Sequence, residues 1–185
     1  FASLPRAADD AAPTVALIGR VVPIKDVKTF ITAIGILRRR LPDLRALVMG
    51  PTDEDPEYYQ QCRALSTQLG LETCLEFTGN VSIAEWLPRI HVVALTSLSE
   101  AQPLVLLEAG AAGVPCVTTN VGSCAEILLG RPGEQPHHGA GGIVTGLVAP
   151  AEIAEALRTL LTDHAKRAAF GESLRARVKA DYSNQ

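Results

Sequence analysis

The chain has 185 residues, of which 47% are hydrophobic and 20% charged, and its formal net charge is −3. That length suits one large α/β domain, and the composition supports a sizeable core and excludes a disordered chain. The slight acidity argues against a general nucleic-acid binder, which needs clustered basic surface, and no run approaches the roughly eighteen consecutive apolar residues of a membrane span.

Phe1-Ala-Ser-Leu-Pro-Arg6 has neither a signal-peptide core nor an initiator Met, so the sequence reads as a piece of a longer polypeptide. Residues 1–13, rich in Ala, Asp and Pro, read as a linker, and 14–185 as the folded domain. Thr14-Val-Ala-Leu-Ile-Gly19 is a continuous apolar run ending in Gly, the form of a strand buried on both faces of a parallel sheet. Over 26–40, Val27, Phe30, Ile31, Ile34 and Leu37 recur at helical spacing. Arg38-Arg39-Arg40 then places favourable charge at the helix C-terminus, and Leu41-Pro42 stops it. A second strand spans 44–50. Asp53-Glu54-Asp55 superficially matches an Asp-x-Asp metal motif, but acidic residues just before a helix at 57–69 are ordinary N-terminal charges, and Gly70 caps that helix.

Strand three, 75–78, precedes a short helix whose opening, Ser82-Ile-Ala-Glu85, reads as a capping box. Strand four is 91–96 and strand five 115–119. Gly122-Ser123-Cys-Ala-Glu126 then reads as a second capping box, which accounts for Glu126. Residues 130–142 form a Gly, Pro and His rich loop. His137 and His138 there lack a third ligand at metal-binding spacing and read as a solvent-exposed tip. A short strand at 142–145 and amphipathic helices at 151–161 and 163–180 complete the chain. Cys62, Cys74, Cys116 and Cys124 show no C-x-x-C spacing and read as buried free thiols of a reducing cytosol. Strands alternating with helices predict an α/β fold: a Rossmann-like, doubly wound parallel sheet of about six strands with helices on both faces.

Glu100-Ala-Gln-Pro-Leu-Val-Leu-Leu-Glu108 is the anomalous stretch. Pro103 is suited to the first helical position, which leaves Glu100 in the preceding loop and puts Glu108 about one and a half turns into the helix. Leu104, Val105, Leu106, Leu107, Ala109, Ala111 and Ala112 cover nearly the whole circumference, which predicts a buried helix. A carboxylate there must be protonated, paired or hydrogen-bonded, and a polyol ligand at the helix N-terminus satisfies it. Doubly wound sheets bind ligands at the carboxyl ends of their strands, near the switch point between strands one and four. That rule brings Arg20 and Lys25 to the same crevice as Glu100 and Glu108, and two cations beside the N–H groups of a helix start suit a diphosphate. Gly19-Arg-Val-Val-Pro-Ile-Lys25 lacks the closely spaced glycines of a dinucleotide site. A P-loop, a Ser-His-Asp or Cys-His arrangement and a zinc spacing are missing as well.

Gly19-Arg20 with Lys25, Phe77-Thr78-Gly79-x-Val81, Glu100-x7-Glu108, Ala112-Gly113-Val114-Pro115, Gly122 and Glu126 resemble the C-terminal, donor-binding half of family 4 retaining glycosyltransferases of the GT-B fold, over residues 14–183. The resemblance implies transfer of a hexose from a nucleotide-sugar, UDP-glucose, to a growing exopolysaccharide in the cytoplasm. Arg20 and Lys25 would grip the donor diphosphate and stabilise it as it leaves, with Glu100 on hydroxyls of the transferred sugar; these three form the implied catalytic set. Glu108 would bind the ribose. The backbone around Gln102, Leu104 and Val105 would face sugar and phosphates, and that near Val81 the base.

No metal and no cofactor are implied. The implied partners are the enzyme's own N-terminal GT-B domain, the donor, a glycan acceptor and a membrane-associated polysaccharide synthesis complex, with no nucleic acid. Acceptor residues come from the N-terminal half, so the chain alone is expected to bind nucleotide weakly and to transfer nothing. It is also expected to stop, at Tyr182-Ser-Asn-Gln185, before the last helix that crosses back to the other domain. A sugar-nucleotide 2-epimerase of the same architecture and a non-catalytic nucleotide-sugar-binding module stay open as alternatives; the four intact charged residues argue against the second. One departure stands out: many members carry Glu-Gly-Phe-Gly where this chain has Glu100-Ala101-Gln102-Pro103, and Ala enters positive φ less cheaply than Gly.

Overall fold

A computed structural model describes residues 1–182; residues 183–185, assigned to the domain from sequence, lie outside the described residues. The strands are β1 (Thr14–Ile18), β2 (Arg45–Met49), β3 (Leu75–Gly79), β4 (Val92–Leu95), β5 (Cys116–Thr119) and β6 (Gly142–Thr145). They form one sheet in the order β3-β2-β1-β4-β5-β6, with every pairing parallel. The helices are α1 (Val27–Arg38), α2 (Pro56–Gln68), α3 (Ile83–Trp86), α4 (Leu104–Ala112), α5 (Cys124–Leu129), α6 (Pro150–Thr162) and α7 (His164–Asp181).

Two cores follow from the two-residue period of the strands. Val15 and Leu17 of β1 point into one, with α1, α2 and α6; Ala16 and Ile18 point into the other, with α4, α5 and α7. Both faces are covered, so β1 is apolar at nearly every position and buried throughout. Right-handed crossovers require the split: the chain runs outward from β1 to β3, then restarts at β4 and runs the other way, so the helices change face at the β1/β4 boundary. The doubly wound sheet predicted from the alternation is the sheet observed.

The segment before β1 is irregular and lies against the amino ends of the strands. Arg6 pairs with Glu172, and Asp9 with the buried Arg167. The N–H of Thr14 donates to His91 Nδ1 at 3.1 Å, which leaves Nε2–H to donate to the Ala8 carbonyl, also at 3.1 Å. All four cysteines are buried and unpaired, and burial pushes the Cys62 and Cys124 thiols up to about 11.

Four local expectations are corrected. Pro103 is the N-cap of α4, at φ −75° and ψ 109°, and the helix opens at Leu104. Neither capping box forms. The Ser82 side chain caps nothing, and Ser123 Oγ donates instead to the Ala101 carbonyl at 3.2 Å, while Glu126 pairs with Arg131. Helix α4 is not buried all round: Leu106, Ala109, Gly110 and Ala112 face inward, but Leu104 is 69% exposed and Glu108 is half-buried. Apolar composition on every side hid the fact that one flank borders the open carboxyl edge of the sheet.

The fourth correction concerns the loop at 130–142. His137 is exposed at its tip, as expected, yet the loop is anchored from within. Glu134 makes two hydrogen bonds to Arg177 of α7, at 2.5 and 3.0 Å, and both side chains are 5% exposed or less. The same guanidinium donates to the carbonyls of Ile127, Leu128 and Gly139. Arg177 therefore ties α7 to the end of α5 and to the loop.

Candidate functional site

Of the charged residues singled out from sequence, Lys25 and Glu100 meet where the loops after β1 and β4 come together, and Arg20 lies on the same loop as Lys25. Gly50 sets the floor: its φ is +148°, and a Cβ there would lie 2.1 Å from the Gly19 carbonyl oxygen, so β1 and β2 run side by side into their loops only with glycine. The loop after β1 turns through a 3-10 segment, Pro23–Lys25, into Asp26, whose φ of 45° and ψ of 51° reverse the chain before α1. Asp tolerates that left-handed conformation, and its side chain accepts from the N–H of Thr29 as the N-cap of α1.

Lys25 and Glu100 meet across the switch point, with Nζ 2.5 Å from Oε1; their side chains are 19% and 12% exposed. Ser97 Oγ donates to the same carboxylate oxygen at 2.6 Å. Backbone bonding holds the two loops together, since the N–H of Leu98 donates to the Ile24 carbonyl at 2.8 Å. The loop after β5 closes the far side: Gly122, at φ +50°, sits where a Cβ would lie 2.1 Å from the Glu100 carbonyl oxygen, and the N–H of Ser123 donates to the Ala101 carbonyl at 3.0 Å. Ala101 is not among the residues at positive φ, so the turn after Glu100 takes a shape that needs no glycine there.

Arg20, on the loop after β1, is half-exposed and pairs at 2.5 Å with Glu54 from the loop before α2. Its neighbour Asp55 is the helix cap expected from sequence, accepting from the N–H of Tyr58 at 2.9 Å. Glu108 is half-buried on α4 and feels the positive charge of the chain's N-terminus. It makes no hydrogen bond or ion pair among the described residues, and burial raises its pKa above the usual carboxylate range. Gln102 and Leu104 are exposed at the rim, while Val105 and Val81 are half-buried against the core beneath α4.

Sequence reasoning thus named Arg20, Lys25, Glu100 and Glu108, and missed Ser97, Thr96 and Glu54. The available signal was the Thr96-Ser97 pair at the polar end of an otherwise apolar strand. Among the described residues no group of three His, Cys, Asp or Glu side chains gathers as a metal site. A cavity of 330 Å³ lies at the opposite end of the sheet, by Arg6, Asp9, His91, His164 and Arg167. Its arginines are already paired with Glu172 and Asp9, and it is remote from the switch point where such sheets bind ligands.

This architecture is that of the C-terminal, Rossmann-like domain of GT-B proteins. HepE of Anabaena, solved in complex with UDP, superposes with a TM-score of 0.80 at 24% identity, over 91% of this chain and 44% of that one. Its complex with UDP-glucose gives 0.82 at 23%, over 94% and 46%. The C-terminal domain of LpcC, a glycosyl transferase group 1 family protein of Francisella tularensis, gives 0.80 at 24%, over 98% and 89%.

The chain belongs to the family described as glycosyl transferases group 1, which matches residues 12–163. Among curated relatives, the D-inositol 3-phosphate glycosyltransferase of Kribbella flavida is 29% identical over 174 residues, 88% of this chain and 38% of that protein. The GDP-mannose-dependent alpha-(1-6)-phosphatidylinositol monomannoside mannosyltransferase of Mycobacterium tuberculosis is 30% identical over 181 residues, 92% and 44%. The chain therefore spans about two fifths of the length of these relatives. No helix among the described residues is long and apolar enough to cross a membrane.

Proposed function

We propose that residues 14–185 are the donor-binding half of a two-domain retaining hexosyltransferase that moves glucose from UDP-glucose to a growing exopolysaccharide. The observation that supports this reading is the Lys25–Glu100 pair, which joins the loops after β1 and β4, with Arg20 on the same loop as Lys25. A departing nucleoside diphosphate gathers negative charge in the transition state, and preorganised cations stabilise that charge where it develops. Arg20 and Lys25 supply it from side chains, so the reading calls for no metal. Glu100 takes hydroxyls of the sugar, Glu108 takes the ribose, the backbone of 102–105 faces sugar and phosphates, and that of Val81 meets the base.

UDP-glucose is favoured by the bound ligands of the HepE structures. The polysaccharide role is favoured by residues 18–30 and 95–103, which resemble PelF, the cytosolic glycosyltransferase of Pel exopolysaccharide synthesis. The buried, unpaired cysteines suit a reducing cytoplasm. An N-terminal GT-B domain supplies the acceptor site in this reading, and a membrane-associated synthesis complex receives the product.

Calorimetric titration of the chain with UDP, GDP and ADP tests the proposal: UDP is expected to bind, and no binding by any of the three removes the donor-domain reading. The chain alone is expected to release no glycosylated product from UDP-glucose, and acceptor glycosylation by it would show that the second half is dispensable.

Glu54 offers a milder check. An exposed ion pair contributes only about 0–1 kcal/mol, so an arriving diphosphate displaces Glu54 from Arg20 at small cost. Glu54→Gln is expected to tighten UDP binding by roughly two- to fivefold, and weaker binding would mean that Glu54 orients Arg20 instead of competing for it.

A further inference from the structure

We propose that Ser97, seated by its neighbour Thr96, is a positioning residue that presents Glu100 to the transferred sugar; this rests on the donor-binding reading above. β4 ends at Leu95, and the next two side chains are hydroxyls, each only 1% exposed, a setting in which an unpaired hydroxyl is costly. Each hydroxyl has work to do. Thr96 Oγ1 lies 3.0 Å from the carbonyl oxygens of both Lys25 and Asp26, which pins the turn carrying Lys25 to the end of β4. Thr119 Oγ1 donates to the Ser97 carbonyl at 2.6 Å, so Ser97 is tied to β5 through its backbone. From this fixed backbone, Ser97 Oγ donates to Glu100 Oε1 at 2.6 Å.

Oε1 also receives Lys25 Nζ, so this oxygen has two donors, whereas Oε2 has none among the described residues. A carboxylate held by one oxygen cannot rotate freely, and its other oxygen, with no donor among the described residues, is left as a pure acceptor. Such an acceptor suits a hydroxyl donor and repels a phosphate. Ser97 therefore acts on the sugar end of the ligand and leaves the diphosphate, held by Arg20 and Lys25, almost untouched.

This separation makes the role testable by calorimetry on the chain, with UDP and UDP-glucose as paired probes, and GDP and GDP-mannose if UDP does not bind. Ser97→Ala is expected to lower affinity for the sugar conjugate about tenfold while changing that for the bare nucleotide by less than about twofold, and Ser97→Thr to restore the wild-type ratio. Equal losses for both probes would reduce Ser97 to a support of the fold, and no loss for either would leave Glu100 positioned without it; both results overturn the proposal. Thermal unfolding of the same variants guards against misfolding, since a misfolded protein loses both ligands together. A wild-type chain that binds none of these four compounds and no ADP overturns the donor reading and this proposal with it, and is distinguishable because the other two outcomes require wild-type binding.

Discussion

Arg20→Ala is expected to weaken UDP binding about 10- to 100-fold with little change in melting temperature, whereas Lys25→Ala is expected to lower both. The difference follows from what each cation does when no ligand is bound. Arg20 is half-exposed and its ion pair among the described residues is with the equally exposed Glu54, so removing it frees a carboxylate that water solvates at once. Its loss is felt when a diphosphate arrives and finds one charge-assisted donor fewer, a difference of roughly 1.5–3 kcal/mol. Lys25 is mostly buried against Glu100, and Glu100 is more buried still. Deleting Lys25 leaves that carboxylate with the Ser97 hydroxyl alone, and an uncompensated, poorly solvated charge destabilises the folded state before any ligand binds. Calorimetry and thermal unfolding on the same two variants separate the effects. Wild-type UDP affinity in Arg20→Ala would remove Arg20 from the site, and an unchanged melting temperature in Lys25→Ala would mean that Glu100 is better solvated than its surroundings imply.

The candidate residues that could be read from sequence were those that violate a pattern. Arg20 and Lys25 follow a strand that is buried throughout and apolar at nearly every position, and Glu108 interrupts an apolar helix, so each stands out against its neighbours. The fold rule then brings them together, because a chain of alternating strands and helices has one switch point and its ligand edge is fixed by strand direction. What remained hidden was the difference between one apolar flank and another. Leu104 looks like a core residue on a helical wheel, yet it projects over the carboxyl edge of the sheet, where no helix covers it. Sequence records that a side chain is apolar; only the placement of its neighbours records whether anything packs on it.

Hydroxyl and amide partners were hidden for a related reason. Ser123 and Ser82 have the spacing of capping boxes, but neither side chain accepts from its helix, and the Ser123 hydroxyl donates to the Ala101 carbonyl of another loop. Thr96 and Ser97 bond to the loop of residues 24–26 and to Glu100, and Thr119 bonds to Ser97, contacts that exist only because β1, β4 and β5 are neighbours in the sheet. The concern over Ala101 dissolves on similar grounds: Gly122, not residue 101, takes the left-handed conformation, which lets the loop after β5 press against the Glu100–Ala101 backbone.

The second large effect lies far from the ligand edge. Arg177→Met is expected to destabilise the chain by about 3–5 kcal/mol, because it leaves the buried carboxylate of Glu134 without its guanidinium partner and removes the Arg177 hydrogen bonds to the carbonyls of Ile127, Leu128 and Gly139. An arginine in an amphipathic terminal helix reads as surface, so this pair, 43 positions apart in sequence, had no signature. It also sets an acid limit. The hydrogen bonds from Arg177 hold the Glu134 pKa down to about 2, against roughly 4.3 for a glutamate in an unfolded chain. A carboxyl whose folded pKa is depressed stabilises the fold fully above its unfolded value and loses that contribution as pH falls through the folded one. The pair's contribution, roughly 3 kcal/mol, is therefore constant at neutral pH and drains away between about pH 4.5 and 2. Urea unfolding of wild type and Glu134→Gln across that window decides the matter. The wild-type curve is expected to fall more steeply with acid, the two converging near pH 2, and parallel curves would show that Glu134 titrates as an ordinary exposed carboxylate.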